Sequence, residues 1–271
     1  MALESPLVVG LFAGASIALG TALLLGHRGE SCSCHQDQCN GHQRSVEKSF
    51  ETNGFTLKEA KELSAHAATQ LAKLTPEDVI NELQRGNTRF AMGNGNRKQS
   101  SALQRQTLLN GQYPSVAVLA CADSRVPVEI IFDQGVGDVF TICVAGNCLD
   151  KSTEGSLEYG VAHLDIKVLI VMGHEGCGAI KAAQLPAKTT ENEPKCLRSV
   201  LKGLKGGLDM DCLKNIVDDR ARDREAVMSN VKFQMKNLLM NEAVQKSVEQ
   251  GKLQVIGAFY NMSSGIVDFY K

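Results

Sequence analysis

Four stretches of the chain are apolar at nearly every position: residues 115–120, 138–145, 166–172 and 253–260. Successive side chains of a strand point to opposite faces, so a strand that is apolar throughout must be covered on both. Elsewhere apolar positions recur at helical spacing. This holds over 55–72 and again from Pro76, where Val79, Leu83 and Phe90 share a face, Thr75 is placed as N-cap and Gly93, Asn94 and Gly95 end the run. It also holds over 153–163 and over 230–242, where Val231, Met235, Leu238 and Leu239 supply the apolar face. The stretch 185–208, which carries KTTENEP and KGLKGG, is expected to be a loop-rich excursion. The pattern predicts an α/β fold, a mostly parallel central β-sheet flanked by helices and preceded by an N-terminal helical arm.

The hydrophobic pattern divides the chain into a hydrophobic membrane anchor or signal (1–28), a Cys- and His-containing linker (29–54) and a main folded domain (55–271). Residues 6–26 contain no Asp, Glu, Lys, Arg or His and would span the roughly 30 Å of a bilayer core as a helix. MALESP, ahead of them, has no Lys or Arg, which favours a retained anchor, whereas Ala18, Leu19 and Gly20 offer a signal-cleavage site. Arg28, Arg44 and Lys48 follow the segment and place the domain on the cytosol-like side of the membrane. In the linker, Cys32, Cys34, His35, Cys39 and His42 fit a solvated tether, a palmitoylated segment or a small metal-binding tract.

Charge removes one class of partner. With 29 basic against 30 acidic residues and a formal net charge of -1, the chain has no footprint for a phosphate backbone, and no nucleic acid is expected. Chemistry gathers where two apolar stretches end. The first runs into Cys121, Asp123 and Arg125, and the third into GHEGCG, which brings His174 and Cys177. In an open parallel sheet ligands bind at the carboxyl ends of the strands. Two thiolates, an imidazole and a nearby carboxylate form the mixed donor set that zinc accepts, three strong ligands leaving a fourth place open. Each residue also has a plainer reading: Cys121 as a buried small hydrophobe, His174 as a hydrogen-bonded loop histidine. GHEGCG lacks the Lys-Ser/Thr of a phosphate-binding loop, and its HxxC spacing is not the CxxC of a redox pair.

CADSR followed by HEGC resembles the beta-class carbonic anhydrases. The likeness extends through LQRGNTRF, NGQYPSVAVLACADSRVPVEIIFDQGVGDVF, VAGN, GSLEYGVAHL, VMGHEGCGAIKAA and VIGAFYNMSSGIVDF. It implies a zinc lyase that interconverts carbon dioxide and bicarbonate, with one Zn2+ per subunit. The expected assembly is a homodimer or a multiple of dimers, N-terminal helices embracing the neighbour. Cys121, His174 and Cys177 are the expected ligands, with Asp123 joining them in an inactive state. Arg125 would draw Asp123 off the metal and fix its carboxylate to accept a hydrogen bond from the reacting water. Asp123 and Arg125 are thus the expected catalytic pair. By the same resemblance Gln112 would hydrogen-bond substrate oxygen, Phe140 and Tyr159 would wall the pocket, Tyr159 from the partner chain, and Gly178 would offer a backbone N–H. Ordinary packing is the alternative for both aromatics.

The chain departs from the family at Cys143, where FTICVAGN replaces an arginine, and it contains no Trp. Members that bicarbonate switches off use an Arg and a Trp to hold that ion, so no such closure is expected here. Two other functions fit the same residues: hydrolysis of carbonyl sulfide or carbon disulfide, and noncatalytic bicarbonate sensing on a zinc-stabilised fold. Thiolate ligands favour a reducing compartment. The expected location is therefore a membrane-anchored domain on a cytosolic or organelle-interior side, or a secreted or lumenal one if residues 6–26 are cleaved.

Overall fold

A computed structural model describes residues 57–96 and 102–270. Its centre is a sheet of β1 (Val116–Cys121), β2 (Val139–Val144), β3 (Val168–His174), β4 (Gln254–Tyr260) and β5 (Val267–Tyr270), in the spatial order β2-β1-β3-β4-β5. The first four strands are parallel and β5 returns antiparallel along β4. Every residue of β1 and β3 is buried, as the doubly apolar pattern demands of interior strands. The α/β class expected from the sequence is the one observed.

Helices α1 (Leu57–Leu71), α2 (Pro76–Ala91) and α3 (Ala102–Thr107) precede the sheet. α4 (Val128–Ile131) and α5 (Lys151–His163) flank β2 in sequence. Between β3 and β4 come α6 (Gly178–Gln184), α7 (Ala187–Thr190), α8 (Lys195–Gly206), α9 (Met210–Lys214), α10 (Asp219–Leu239) and α11 (Glu242–Glu249). α2 starts at Thr75 as expected. The Thr75 hydroxyl accepts from the Asp78 N–H at 3.2 Å, and the Asp78 carboxylate accepts from the Thr75 N–H at 2.9 Å.

One sheet face packs Val116, Val118, Ala120, Val168, Ile170 and Met172 against Val79 and Leu83 of α2. The other packs Ala117, Leu119, Leu169 and Val171 against Leu157 of α5 and Val231 and Leu238 of α10. Each such burial is worth about 1.5–3 kcal/mol for a Val, Leu or Ile. α10 lies so close to β3 that a Cβ at Gly173 would stand 2.4 Å from Val227 Cγ1. Glycine there permits the close packing.

Three local expectations give way. The excursion over 185–208 is largely helical: α8 buries Leu201 and Leu204, three positions apart on one face, while Gly203 and Gly206 meet open space. Apolar burial on that face outweighs about 1 kcal/mol of helix propensity lost per glycine. The helix expected over 230–242 begins at Asp219 and ends at Leu239, because Asn241 leaves the helix to cap α11 by accepting from the N–H groups of Ala243 and Val244. β5 lacked a periodic signal and exists as a four-residue partner for the edge of β4.

The expectation of a membrane-anchored chain is corrected. Among the described residues no helix is long and apolar enough to cross a membrane. Residues 6–26, on which that expectation rested, lie outside the described residues, as do Cys32, Cys34, His35, Cys39 and His42.

Candidate metal centre

β1 and β3 lie side by side with Ala120 opposite Met172, yet the chain leaves them in opposite directions, β1 continuing to β2 on one side and β3 to β4 on the other. Loops that diverge in this way open a crevice at the carboxyl ends of the two strands. Cys121 closes β1, His174 closes β3, and Cys177 is the N-cap of α6. Their donor atoms all lie within 4.8 Å of one another, and the two sulfurs are 3.9 Å apart.

All three side chains are buried, His174 completely. The His174 Nδ1 is 3.0 Å from the carbonyl of Glu175, which can only accept, so the ring proton sits on Nδ1. Nε2 is left buried without a hydrogen-bond partner. A buried nitrogen lone pair beside two sulfurs is costly unless something electrophilic meets it. The sulfurs compete for one proton: the hydrogen bond from Cys177 pulls the Cys121 thiol well below the usual thiol range against the effect of burial, and Cys177 is pushed up in return. The N–H of Gly146 also donates to the Cys121 sulfur, at 3.3 Å. This soft, dry S, N, S set fits Zn2+.

Asp123 stands at the rim. Arg125 grips its carboxylate with Nε to Oδ1 at 2.9 Å, Nη2 to Oδ2 at 2.7 Å and its own backbone N–H to Oδ1 at 3.0 Å. The guanidinium holds the Asp123 carboxyl far below the usual carboxylate range. Oδ2 is 3.9 Å from His174 Nε2, so the carboxylate overlooks the donor set while committed to Arg125.

The family model described as carbonic anhydrase matches residues 116–267. Carbonic anhydrase 2 of Mycobacterium tuberculosis strain H37Rv is 33% identical over 193 residues, covering 68% of this chain and 87% of that protein. The chain belongs to the beta carbonic anhydrase family. Beta carbonic anhydrase 3 of Arabidopsis thaliana is 26% identical over 247 residues, 84% of this chain and 94% of the relative. In structure, a tetrameric beta-carbonic anhydrase of Sordaria macrospora superposes with a TM-score of 0.57 at 25% identity, covering 71% of this chain and 96% of its own. The protein is an enzyme of the carbonic anhydrase type.

Three of the four expected pocket residues of this carbonic anhydrase, Gln112, Phe140 and Tyr159, lie away from the crevice within one chain. Gln112 is exposed in the segment leading into β1. Phe140 is opposite Ala117 in the β1–β2 register, four residues from the Cys121–Val144 end, or about 13 Å along the strand. Its ring packs on Tyr159 of α5 at 6.2 Å, and Tyr159 packs on His163 at 5.2 Å. Within one chain none of these three reaches the crevice. Gly178 does sit there, directly after Cys177. Cys143 is exposed on β2, opposite Ala120. Absent from the sequence reading are Asn230 and Gln234, buried polar residues of α10 whose contacts lead back to the site. Nothing in their local sequence separates them from polar positions on a solvated face.

Proposed function

We propose that this protein is a zinc enzyme catalysing the reversible hydration of carbon dioxide to bicarbonate and a proton, with Cys121, His174 and Cys177 holding one Zn2+ per chain. The carrying observation is the fully buried His174 Nε2, unpartnered and within 4.8 Å of two sulfurs. Zinc at this set supplies the positive charge that lets a water molecule lose its proton far more readily than in bulk. Asp123 is held as a carboxylate by its two-point pairing with Arg125. Its role is to accept a hydrogen bond from the reacting water and so aim the oxygen lone pair at the carbon of carbon dioxide. Arg125 holds the carboxylate in that posture and away from the metal.

Gln112, Phe140 and Tyr159 serve as pocket residues only if they come from a second copy. Two observations support that reading: Gln112 is exposed, and β2, which carries Phe140, is an edge strand. With Cys143 in place of an arginine and no Trp in the chain, the Arg125-paired state is expected to persist in bicarbonate. Cooperative inactivation by that ion would contradict this.

Stopped-flow carbon dioxide hydration by the full chain, combined with elemental analysis, tests the proposal. One zinc per chain, with activity lost on chelation and restored by Zn2+, is expected. Turnover of carbonyl sulfide without carbon dioxide hydration, or an active chain without zinc, would overturn it.

A further inference from the structure

Between the donor set and α10 runs a chain of buried hydrogen bonds that the reaction, as described, does not use. The Gly146 N–H donates to the Cys121 sulfur at 3.3 Å, and the Gly146 carbonyl accepts from Asn230 Nδ2 at 2.9 Å. Asn230 Oδ1 accepts from Gln234 Nε2 at 3.0 Å, and Gln234 Oε1 accepts from the Leu149 N–H at 3.1 Å. Asn230 and Gln234 are one helical turn apart on the buried face of α10, with exposures of 0% and 2%. Together they clamp both ends of the turn that follows β2.

That turn needs clamping. Gly146 and Asn147 are consecutive left-handed residues, with φ of 68° and 42°, and only the first is a glycine. A Cβ at Gly146 would stand 2.6 Å from Leu204 Cδ1, so glycine alone fits the space as well as the backbone. The Gly146 N–H and carbonyl lie in successive peptide planes joined by the φ and ψ of a glycine free to rotate, so fixing the carbonyl restrains that rotation and with it the direction of the N–H.

We propose that Asn230 and Gln234 are positioning residues of the metal centre: they keep the Gly146 N–H on the Cys121 sulfur and so limit the negative charge that this thiolate passes to the metal. The proposal rests on the zinc reading above. Two thiolates cancel the charge of a dication and blunt its pull on water. A hydrogen bond into one sulfur withdraws part of that charge and leaves the metal more electrophilic. The buried amides on α10 thus tune the chemistry without touching substrate.

The test replaces zinc with Co2+ in the full chain and follows the sulfur-to-cobalt charge-transfer band. Asn230→Leu keeps the volume but loses the amide; Gln234→Met is the milder change if the first fails to fold. In either variant the band should move to longer wavelength, because an unshielded thiolate gives up an electron more easily. The kcat for carbon dioxide hydration on the zinc form should fall about tenfold or more, within the 10- to 100-fold range of such outer contacts, with KM unchanged. Val244→Ala, a buried truncation on α11, serves as the control for lost stability alone and should leave the band in place. Folded variants with an unshifted band would overturn the positioning role. A parent chain that gives no charge-transfer band with Co2+ would overturn the metal reading itself and this inference with it.

Discussion

Arg125→Ala separates metal holding from catalysis. The substitution removes two charge-assisted bonds to Asp123, at 2.9 and 2.7 Å, and leaves the backbone N–H bond at 3.0 Å in place. Charge-assisted bonds from a planar guanidinium are the stronger kind, but the Arg125 side chain is 60% exposed, so solvent screening cuts their worth. If the loss falls on the posture of Asp123, kcat/KM drops about 10- to 100-fold, the range for contacts that orient groups at a metal centre. The freed carboxylate is already 3.9 Å from His174 Nε2 and is then able to turn into the donor set, taking the place the reacting water needs. Stopped-flow hydration assays together with zinc analysis report both quantities, and the expected variant is zinc-loaded and slow. Arg125→Lys, a point charge without the planar fork, should fall between it and the parent. Normal turnover in Arg125→Ala would refute the holding role, and loss of zinc would show that Arg125 supports the ligands instead.

Cys177→Ala removes one of two sulfurs from a buried set and should leave the purified chain poor in zinc by elemental analysis, with hydration lost in proportion. A chain carrying Gln112→Ala, co-expressed with one carrying Cys121→Ser, should yield mixed dimers with one working site, since each chain supplies what the other lacks; activity no higher than in either chain alone would sink the shared pocket. Asp150→Ala deletes the cap of α5, where Asp150 Oδ1 accepts from the N–H groups of Ser152 and Thr153, and should cost about 1 kcal/mol in denaturant unfolding. These bonds, led by that from the Thr153 N–H, hold the Asp150 carboxyl below its ordinary range. The parent's advantage over the variant should therefore be full above about pH 4, the unfolded value, and disappear as pH falls through the lowered folded value.

The parallel sheet was legible because an interior strand must be apolar on both faces, and β1 and β3 are. The first half of α10 was not. DRARDREAV is mostly charged, its first buried residue is Ala226, and a helix held by one narrow apolar edge leaves little periodicity to read. α8 was hidden by its glycines, which interrupt the pattern in sequence but not the burial of Leu201 and Leu204 in space. β5 is four residues long, and the edge of β4 selects it more than its own composition does.

The site divides along a similar line. Cys121, His174 and Cys177 stand out in the sequence because thiols and an imidazole just past apolar strands are reactive groups where the fold puts ligands, and the structure does bring them together. Gln112, Phe140 and Tyr159 were named by resemblance, and their distance from the crevice within one chain depends on register that local pattern does not contain. Asn230 and Gln234 are the opposite case. An amide facing inward from a helix is written in the same letters as one facing water, and only the packing of α10 on β3, permitted by Gly173, turns Asn230 onto the Gly146 carbonyl and Gln234 onto Asn230. Ligand chemistry is therefore specified locally, by residue type at a strand end, whereas the electron demand on the Cys121 sulfur is tuned by buried polar groups distant in the chain, such as Asn230, bonded to Gly146 across a separation of 84. Substitutions at such amides should change the rate while leaving every recognisable motif intact.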